Sequence, residues 1–506
     1  MQNTDFRASR PLSVRPSLCH KRTSLSRGLL IAAVLIASFA SLVPVVSASD
    51  GSASGKISAR LLSETANGGR TEALIVLVEQ ADLTAASSLR TKLDKRRYVF
   101  QALQDIAQRT QTPLRSLLQQ RGIPYQAFYI VNTIKVTADR GLLEELATRS
   151  DVAHIDANPQ VRSPLLGTPG TGMDSGGGGV EWNVQRVNAP QVWALGYRGE
   201  GLVVAGNDTG VKWDHPALKS HYRGWNGHTV NHDYNWHDAT SDHSPVPIDP
   251  NAHGTFTASE MVGDDGMGNQ VGVAPGAQWI ACRNMDRHGT GSPAQYIECF
   301  EFLMAPYPVN GNPSQGDPTK APDSINNSWA CPASEGCTVS TLQSVVDAVR
   351  AAGIFPAMAT GNSGPNCSTV SDPPEFYASS VSVGATDSYN RIALFSSRGP
   401  VTVDGSHRTK PDFSAPGVNI RGAIPYDNMY QGYWSGTSMA APHLAGGVAL
   451  LWQAKPELIG NVDTTEAVFT QSAHHLTPLH NCGVGLLPNN VYGWGLLDLL
   501  NAVQSR

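Results

Sequence analysis

From Glu181 to the carboxyl end, apolar positions come in unbroken runs rather than in alternation with polar ones: GLVVAGND, QWIACRNM, DSINNSW, IFPAMATGN and SSVSVGATD, with the helical stretch TLQSVVDAVRAAG among them. Short strands that are apolar on both faces, separated by helices, predict a mostly parallel sheet covered on both sides. The expected fold class is therefore α/β, doubly wound, with polar sites gathered where strands end. A later stretch, MAAPHLAGGVALLWQA, predicts a helix whose small residues Ala440, Ala441, Ala445, Gly446 and Gly447 permit close packing. Pro442 would be tolerated only near the start of that helix.

A different pattern precedes this region. Over residues 57–160, the strand-like runs EALIVLVEQ and AFYIVNTIKVTA are separated by a charged helical segment from Ala85 to about Gln120. A second helix, DRGLLEELATRS, and a short strand, VAHIDANPQV, complete a small α+β unit. The stretch SPLLGTPGTGMDSGGGGVEW is rich in Gly, Ser and Pro, and residues 161–180, which take in most of it, predict a flexible, cleavable linker. Its DSGGGG is no nucleophile motif, because a run of four glycines holds no side chain in fixed geometry.

At the amino end, HKRTSLSRG precedes the apolar LLIAAVLIASFASLVPVVSASD, with a cleavage-like V-S-A ending at Ala48. Residues 1–48 thus predict a secretory signal peptide, and with it a secreted, extracellular protein that leaves the membrane once the signal is removed. A membrane anchor is the alternative, weakened by Ser38, Ser41 and Pro44.

Charge and cysteine content narrow the partners. The 506 residues carry 37 Lys+Arg against 42 Asp+Glu with no basic patch, which excludes a nucleic-acid partner. Outside the signal, which contains Cys19, six cysteines remain: Cys282, Cys299, Cys331, Cys337, Cys367 and Cys482. They suit an exported protein and allow three disulfides in fifteen pairings, with buried free thiols as the alternative. No CxxC pair suggests zinc.

Four short blocks carry candidate chemistry, and each has an ordinary reading of its own. In LVVAGNDTGVKWDHPAL a strand ends at Asp208, a carboxylate that an Asx-turn would equally explain. In NAHGTFTASEMVG, His253 stands at a helix head, where a structural or solvated histidine would also fit. In IFPAMATGNSGP a strand ends at Gly361 and Asn362, whose amide could donate to an oxyanion or simply close a turn. In GTSMAAPH, Ser438 is either a helix cap or a nucleophile facing the N–H groups and positive dipole end of a helix. Together the blocks supply hydroxyl, imidazole, carboxylate and amide, the parts that acyl transfer requires.

These blocks, DTG, HGT, GN and GTSMAAPH, resemble in content and order the catalytic blocks of the subtilases, the subtilisin-like serine peptidases. GVAPGA, SSRGP, KPDFSAPGVNI and YGWGLLDLLNAV agree, and HYRGWN, DYNWHDA and APDSINNSWA look most like the bacillopeptidase F-like branch. The resemblance covers Trp182 to the carboxyl end, making 181–506 the expected peptidase domain, and the first unit looks like the inhibitory propeptide found in such proteins. It implies a self-processing zymogen in which Ser438 is the nucleophile, His253 the general base and then acid, Asp208 the orienting carboxylate and Asn362 an oxyanion donor. It further implies that substrate pairs beside Ser328, Trp329 and Ala330, with Gly361 also lining the cleft.

The expected partners are protein or peptide substrates and the chain's own propeptide; a monomer is expected. Acyl transfer by this set requires no cofactor. A structural calcium is an open expectation: Ala217 replaces an aspartate common in relatives, whereas Asp264, Asp265 and Asn269 offer hard oxygen donors that a plain turn would also explain. The histidines His221, His228, His232, His237 and His243 are too irregularly spaced for a ligand signature. Phe256 stands where the family usually has a second histidine, and Ala330 where it has glycine, so altered packing and a narrower cleft are expected. Cys331 and Cys337 are expected to close a loop beside the substrate strand. An α/β-hydrolase esterase would need Ser, acid and His in that order with a GxSxG elbow, which is absent. A catalytically inactive subtilase acting as a binding or adhesion module is the alternative function.

Overall fold

The computed structural model describes residues 53–162, 173–174, 178–426, 428–480, 482–483, 485 and 487–505. The expected signal at 1–48 and most of the expected linker at 161–180 lie outside the described residues. Among the described residues, no helix is long and apolar enough to cross a membrane.

The first unit contains β1 (Thr71–Leu77), α1 (Lys92–Gln120), β2 (Tyr125–Phe128), β3 (Thr133–Ala138), α2 (Arg140–Ala147) and β4 (Val152–Ala157). Its strands form an antiparallel sheet in the order β2-β3-β1-β4 over a core that includes Leu61, Ile75, Leu114, Leu118, Ile134 and Leu143. Helix α1 starts later than the pattern predicts, because Thr91 caps it by accepting the Asp94 N–H, while Thr84–Ser88 is a separate 3-10 turn. The run AFYIVNTIKVTA, expected as one strand, is split by a turn. That turn is apolar, and its backbone donors are satisfied from elsewhere: Glu301 accepts the N–H groups of Tyr129 at 2.6 Å and Ile130 at 3.1 Å. Periodicity carries no trace of such a partner.

The larger part begins with β5 (Val203–Asp208), β6 (Trp236–Asp238), α3 (His253–Val262), β7 (Gln278–Arg283) and α4 (Pro293–Met304). It continues with β8 (Ser324–Asn327), α5 (Gln343–Ala351), β9 (Phe355–Ala359), β10 (Val381–Thr386), β11 (Phe413–Pro416) and α6 (Thr437–Ala454). The seven strands lie in the order β11-β10-β9-β8-β5-β7-β6, and every pairing is parallel. This is the doubly wound α/β class that the unbroken apolar runs predict.

Successive residues of each strand enter different cores, as the period of two demands. Val204, Trp279, Ala281 and Ala357 share one core with Met261 of α3 and Leu444 and Val448 of α6. Ala205, Ile280, Ile325 and Met358 share the other with Phe300 of α4 and Val345 of α5. Val99 and Leu103 of α1 join that second core, so the first unit rests on the α4–α5 side. Each such side chain contributes about 1.5–3 kcal/mol on burial.

All six cysteines outside the expected signal are paired, as Cys282–Cys299, Cys331–Cys337 and Cys367–Cys482. The first bridge ties β7 to α4, and the second closes the expected short loop after β8. Strands β5 and β8 are neighbours although β6 and β7 come between them in the chain, so the winding reverses there. In such sheets a crevice opens outside the strand ends at the reversal, and β5 ends on Asp208.

Candidate active site

Asp208, the last residue of β5, accepts the Thr209 N–H at 2.7 Å on Oδ1 and the Thr257 hydroxyl at 3.3 Å on Oδ2. Its Oδ1 also meets Nδ1 of His253, the first residue of α3, at 2.7 Å, and both side chains are buried. The other ring nitrogen, Nε2, is buried and has no hydrogen-bond partner among the described residues. With Nδ1–H held by a carboxylate, Nε2 is left as the basic nitrogen.

Two glycines bring these residues together. A Cβ on Gly254 would lie 2.1 Å from the Gly210 carbonyl oxygen, and Gly210 itself has φ +111°. The turn after β5 and the head of α3 therefore touch backbone to backbone. Thr209 Oγ1 accepts the Gly254 N–H at 2.9 Å and donates to Asp249 at 2.9 Å. Asp249 also accepts the N–H groups of Asn251, Ala252 and Thr255, holding the loop before His253, where Ala252 has φ +92°. Burial pushes the Asp249 carboxyl up, against the lowering by these donors. Sequence reasoning missed Asp249; its signal is an isolated acid four residues before a histidine at a helix head.

Ser438 is the second residue of α6 and is buried. Pro442 lies in the second turn rather than at the start, a correction to the sequence expectation. The physical reason is local. Proline has no N–H for the Ser438 carbonyl, and the Ser328 hydroxyl donates to that oxygen instead, at 3.0 Å. In return, the Ser438 hydroxyl donates to the Ser328 carbonyl at 3.3 Å. Asn362, three residues beyond β9, accepts the Thr437 N–H at 2.9 Å and the Thr437 hydroxyl at 3.0 Å on Oδ1. Its carbonyl end is thus anchored at the head of α6, which commits the NH2 end as donor. Gly361 beside it has φ +99°, and a Cβ there would come within 2.6 Å of Glu375 Oε2.

Ser328, Trp329 and Ala330 directly follow β8 and are buried. Trp329 stacks on Tyr296 at 4.0 Å and donates to the Asn207 carbonyl at 2.8 Å. Among the described residues, the chain's own Val161–Arg162 pairs antiparallel with Thr290–Gly291. Phe256 stacks on Trp434 at 4.6 Å, and the His253 ring lies 6.3 Å from the same indole, so the Phe256 departure is a packing element behind the imidazole.

The residues considered for metals have other partners. Asp265 accepts from Met267, Asn269 and Tyr430, Asp264 from Gly266, Gln270 and Arg198, and Asn269 from Arg421. His221, His232 and His237 separately meet the Asp264 carbonyl, Tyr222 and Glu298. Among the described residues, no group of three or more His, Cys, Asp or Glu side chains is arranged to hold a metal ion.

Comparison with known proteins agrees with this geometry. Residues 199–495 match the profile of the Subtilase family. The chain is 38% identical over 448 residues to Bacillopeptidase F of Bacillus subtilis (strain 168), covering 85% of this chain and 30% of that protein. It is 26% identical over 385 residues to Subtilisin E of the same strain, covering 76% of this chain and 87% of that protein. To Subtilisin Savinase of Lederbergia lenta it is 30% identical over 319 residues, covering 63% of this chain and 97% of that protein. The chain thus spans about a third of Bacillopeptidase F and most of each subtilisin.

Proposed function

The chain belongs to the subtilase family, and from that premise we propose that it is a secreted serine endopeptidase made as a self-processing zymogen. The observation that carries this reading is the 2.7 Å Asp208–His253 contact, which leaves Nε2 unpartnered, together with a buried serine at the head of α6. In the reaction, His253 Nε2 takes the proton of Ser438 Oγ as the oxygen attacks the substrate carbonyl. Asp208 holds the ring in the required tautomer and stabilises the imidazolium. The Asn362 amide and the Ser438 N–H receive the charge that develops on the carbonyl oxygen, helped by the positive end of the α6 dipole. His253 then protonates the leaving amine, and water repeats the sequence to release the acyl group.

The substrates are proteins or peptides. The first unit acts as the intramolecular inhibitor, supported by the Val161–Arg162 strand that follows it lying against Thr290–Gly291, where the linker to be cut between about Arg162 and Glu181 begins. No cofactor enters the chemistry, and calcium, where bound, serves stability. A signal peptide at 1–48 directs export, and the mature enzyme is a monomer.

A fluorophosphonate should label Ser438 in the processed protein. Ser438→Ala should lose labelling, lower kcat by about 10⁶-fold and accumulate as uncut precursor in a protease-free host. Peptide hydrolysis surviving in Ser438→Ala would refute the reading.

A further inference from the structure

The loop closed by Cys331–Cys337 turns its one carboxylate toward the paired segment Val161–Arg162. Glu335 ends a 3-10 turn, Ala333–Glu335, and Gly336 follows with φ +106°. The loop's two ends are fixed: both cysteines are buried, and Cys331 donates its N–H to the Pro373 carbonyl at 2.7 Å. Oε2 of Glu335 accepts the main-chain N–H of Arg162 at 2.6 Å. Among the described residues, no cation is paired with this carboxylate. A charged acceptor is therefore committed to a backbone amide, one of the stronger arrangements open to a single hydrogen bond.

Arg162 is also the residue whose strand partner is Thr290. Val161–Arg162 is consequently flanked by a backbone strand and by the Glu335 carboxylate. It stands on the acyl side of the stretch in which the proposed cut falls. The first unit makes a second contact with the same loop through Arg60, which donates to the Glu335 carbonyl at 2.5 Å. When the first unit leaves, both contacts go with it, and the carboxylate is left without its N–H partner.

We propose that Glu335 is a specificity-determining residue of the mature enzyme, accepting one main-chain N–H of an extended peptide substrate on the acyl side of the scissile bond. This rests on the peptidase reading above and names how the site selects length. The disulfide loop supplies an acceptor that a neighbouring strand would otherwise provide, as in strand addition at a sheet edge.

The test uses the full chain after release of its first unit, with competent sites counted by fluorophosphonate titration. A series of peptides is cleaved in which one backbone amide at a time, on the acyl side, is replaced by an ester, which removes the N–H. At one position the replacement should lower kcat/KM about tenfold in the parent and less than twofold in Glu335→Ala. Glu335→Gln, which keeps an acceptor but no charge, should show an intermediate penalty and guards against a loop that merely collapses. Equal ester penalties in parent and Glu335→Ala at every position overturn the proposal while leaving the peptidase reading standing. A processed protein that neither titrates nor cleaves overturns both.

Discussion

The first unit and the α3–α6 crevice bury their important polar groups by contrasting means. In the crevice, Asp208, His253, Asn362 and Ser438 sit at strand ends and helix heads, and their partners are mostly each other or their own turns. Where the first unit meets the sheet domain, ionisable side chains reach across to main-chain groups of a distant element: Glu301 to Tyr129 and Ile130, Glu335 to Arg162, Arg96 to the Ala321 and Pro322 carbonyls. Asp323 is the densest of these crossings, bonding Arg96, Lys92 and the Val203 N–H. The first arrangement fixes chemistry, and the second fixes docking, so lesions in the two should separate stability from turnover.

The sharpest break of that comparison is Asp323→Ala. It strips a buried arginine of its counter-ion and should cost about 3–5 kcal/mol in the precursor, read as a lower urea midpoint. Asn362→Ala should do the reverse. Turnover should fall about 10²–10³-fold, the loss known for the equivalent donor in a subtilisin, with little change in the urea midpoint of the processed enzyme. If Asn362→Ala instead unfolds the domain, its anchoring of Thr437 outweighs its role as donor.

A smaller effect sharpens the same contrast through pH. Burial pushes the Glu301 carboxyl up to about 8, although the Tyr129 and Ile130 N–H groups oppose this. Its proton is thus held more tightly in the docked state, so this contribution to precursor stability is full at low pH and is lost as pH rises toward about 8. His443, inside α6 against Asn183 and the Met439 carbonyl, is pushed down by burial to about 4. Its contribution is full above the ordinary histidine range near 6.5 and is lost as pH falls toward about 4. Thermal melts of uncut Ser438→Ala across pH 4 to 9 should therefore show Glu301→Gln flattening the alkaline limb and His443→Gln the acid limb. The same limb flattened by both variants would dissolve the distinction between docking and core.

How much of this could be read from the chain follows from where each partner comes from. The parallel sheet was legible because strands buried on both faces have no polar alternation. The Asp208 and His253 blocks were legible because Gly210 and Gly254 mark backbone contacts that tolerate no Cβ, the Asn362 block because Gly361 holds φ +99° against the Glu375 and Ser397 side chains, and the Ser438 block through its likeness to the family. The turn at Tyr129–Asn132 was not, since Glu301, some 170 residues later, supplies its acceptor. Asp249 and Glu335 were hidden for the same reason: each is an ordinary acid until the fold shows which N–H groups point at it.

The missing N–H of Pro442 has a mechanical result. Since the Ser438 carbonyl is tied to Ser328 instead of to its own helix, and the Ser438 hydroxyl is tied back to the same residue, the two serines are geared to one another. Both polar ends of residue 438 are thus referenced to one neighbour, so any shift of the 328–330 segment is passed to its carbonyl and hydroxyl together.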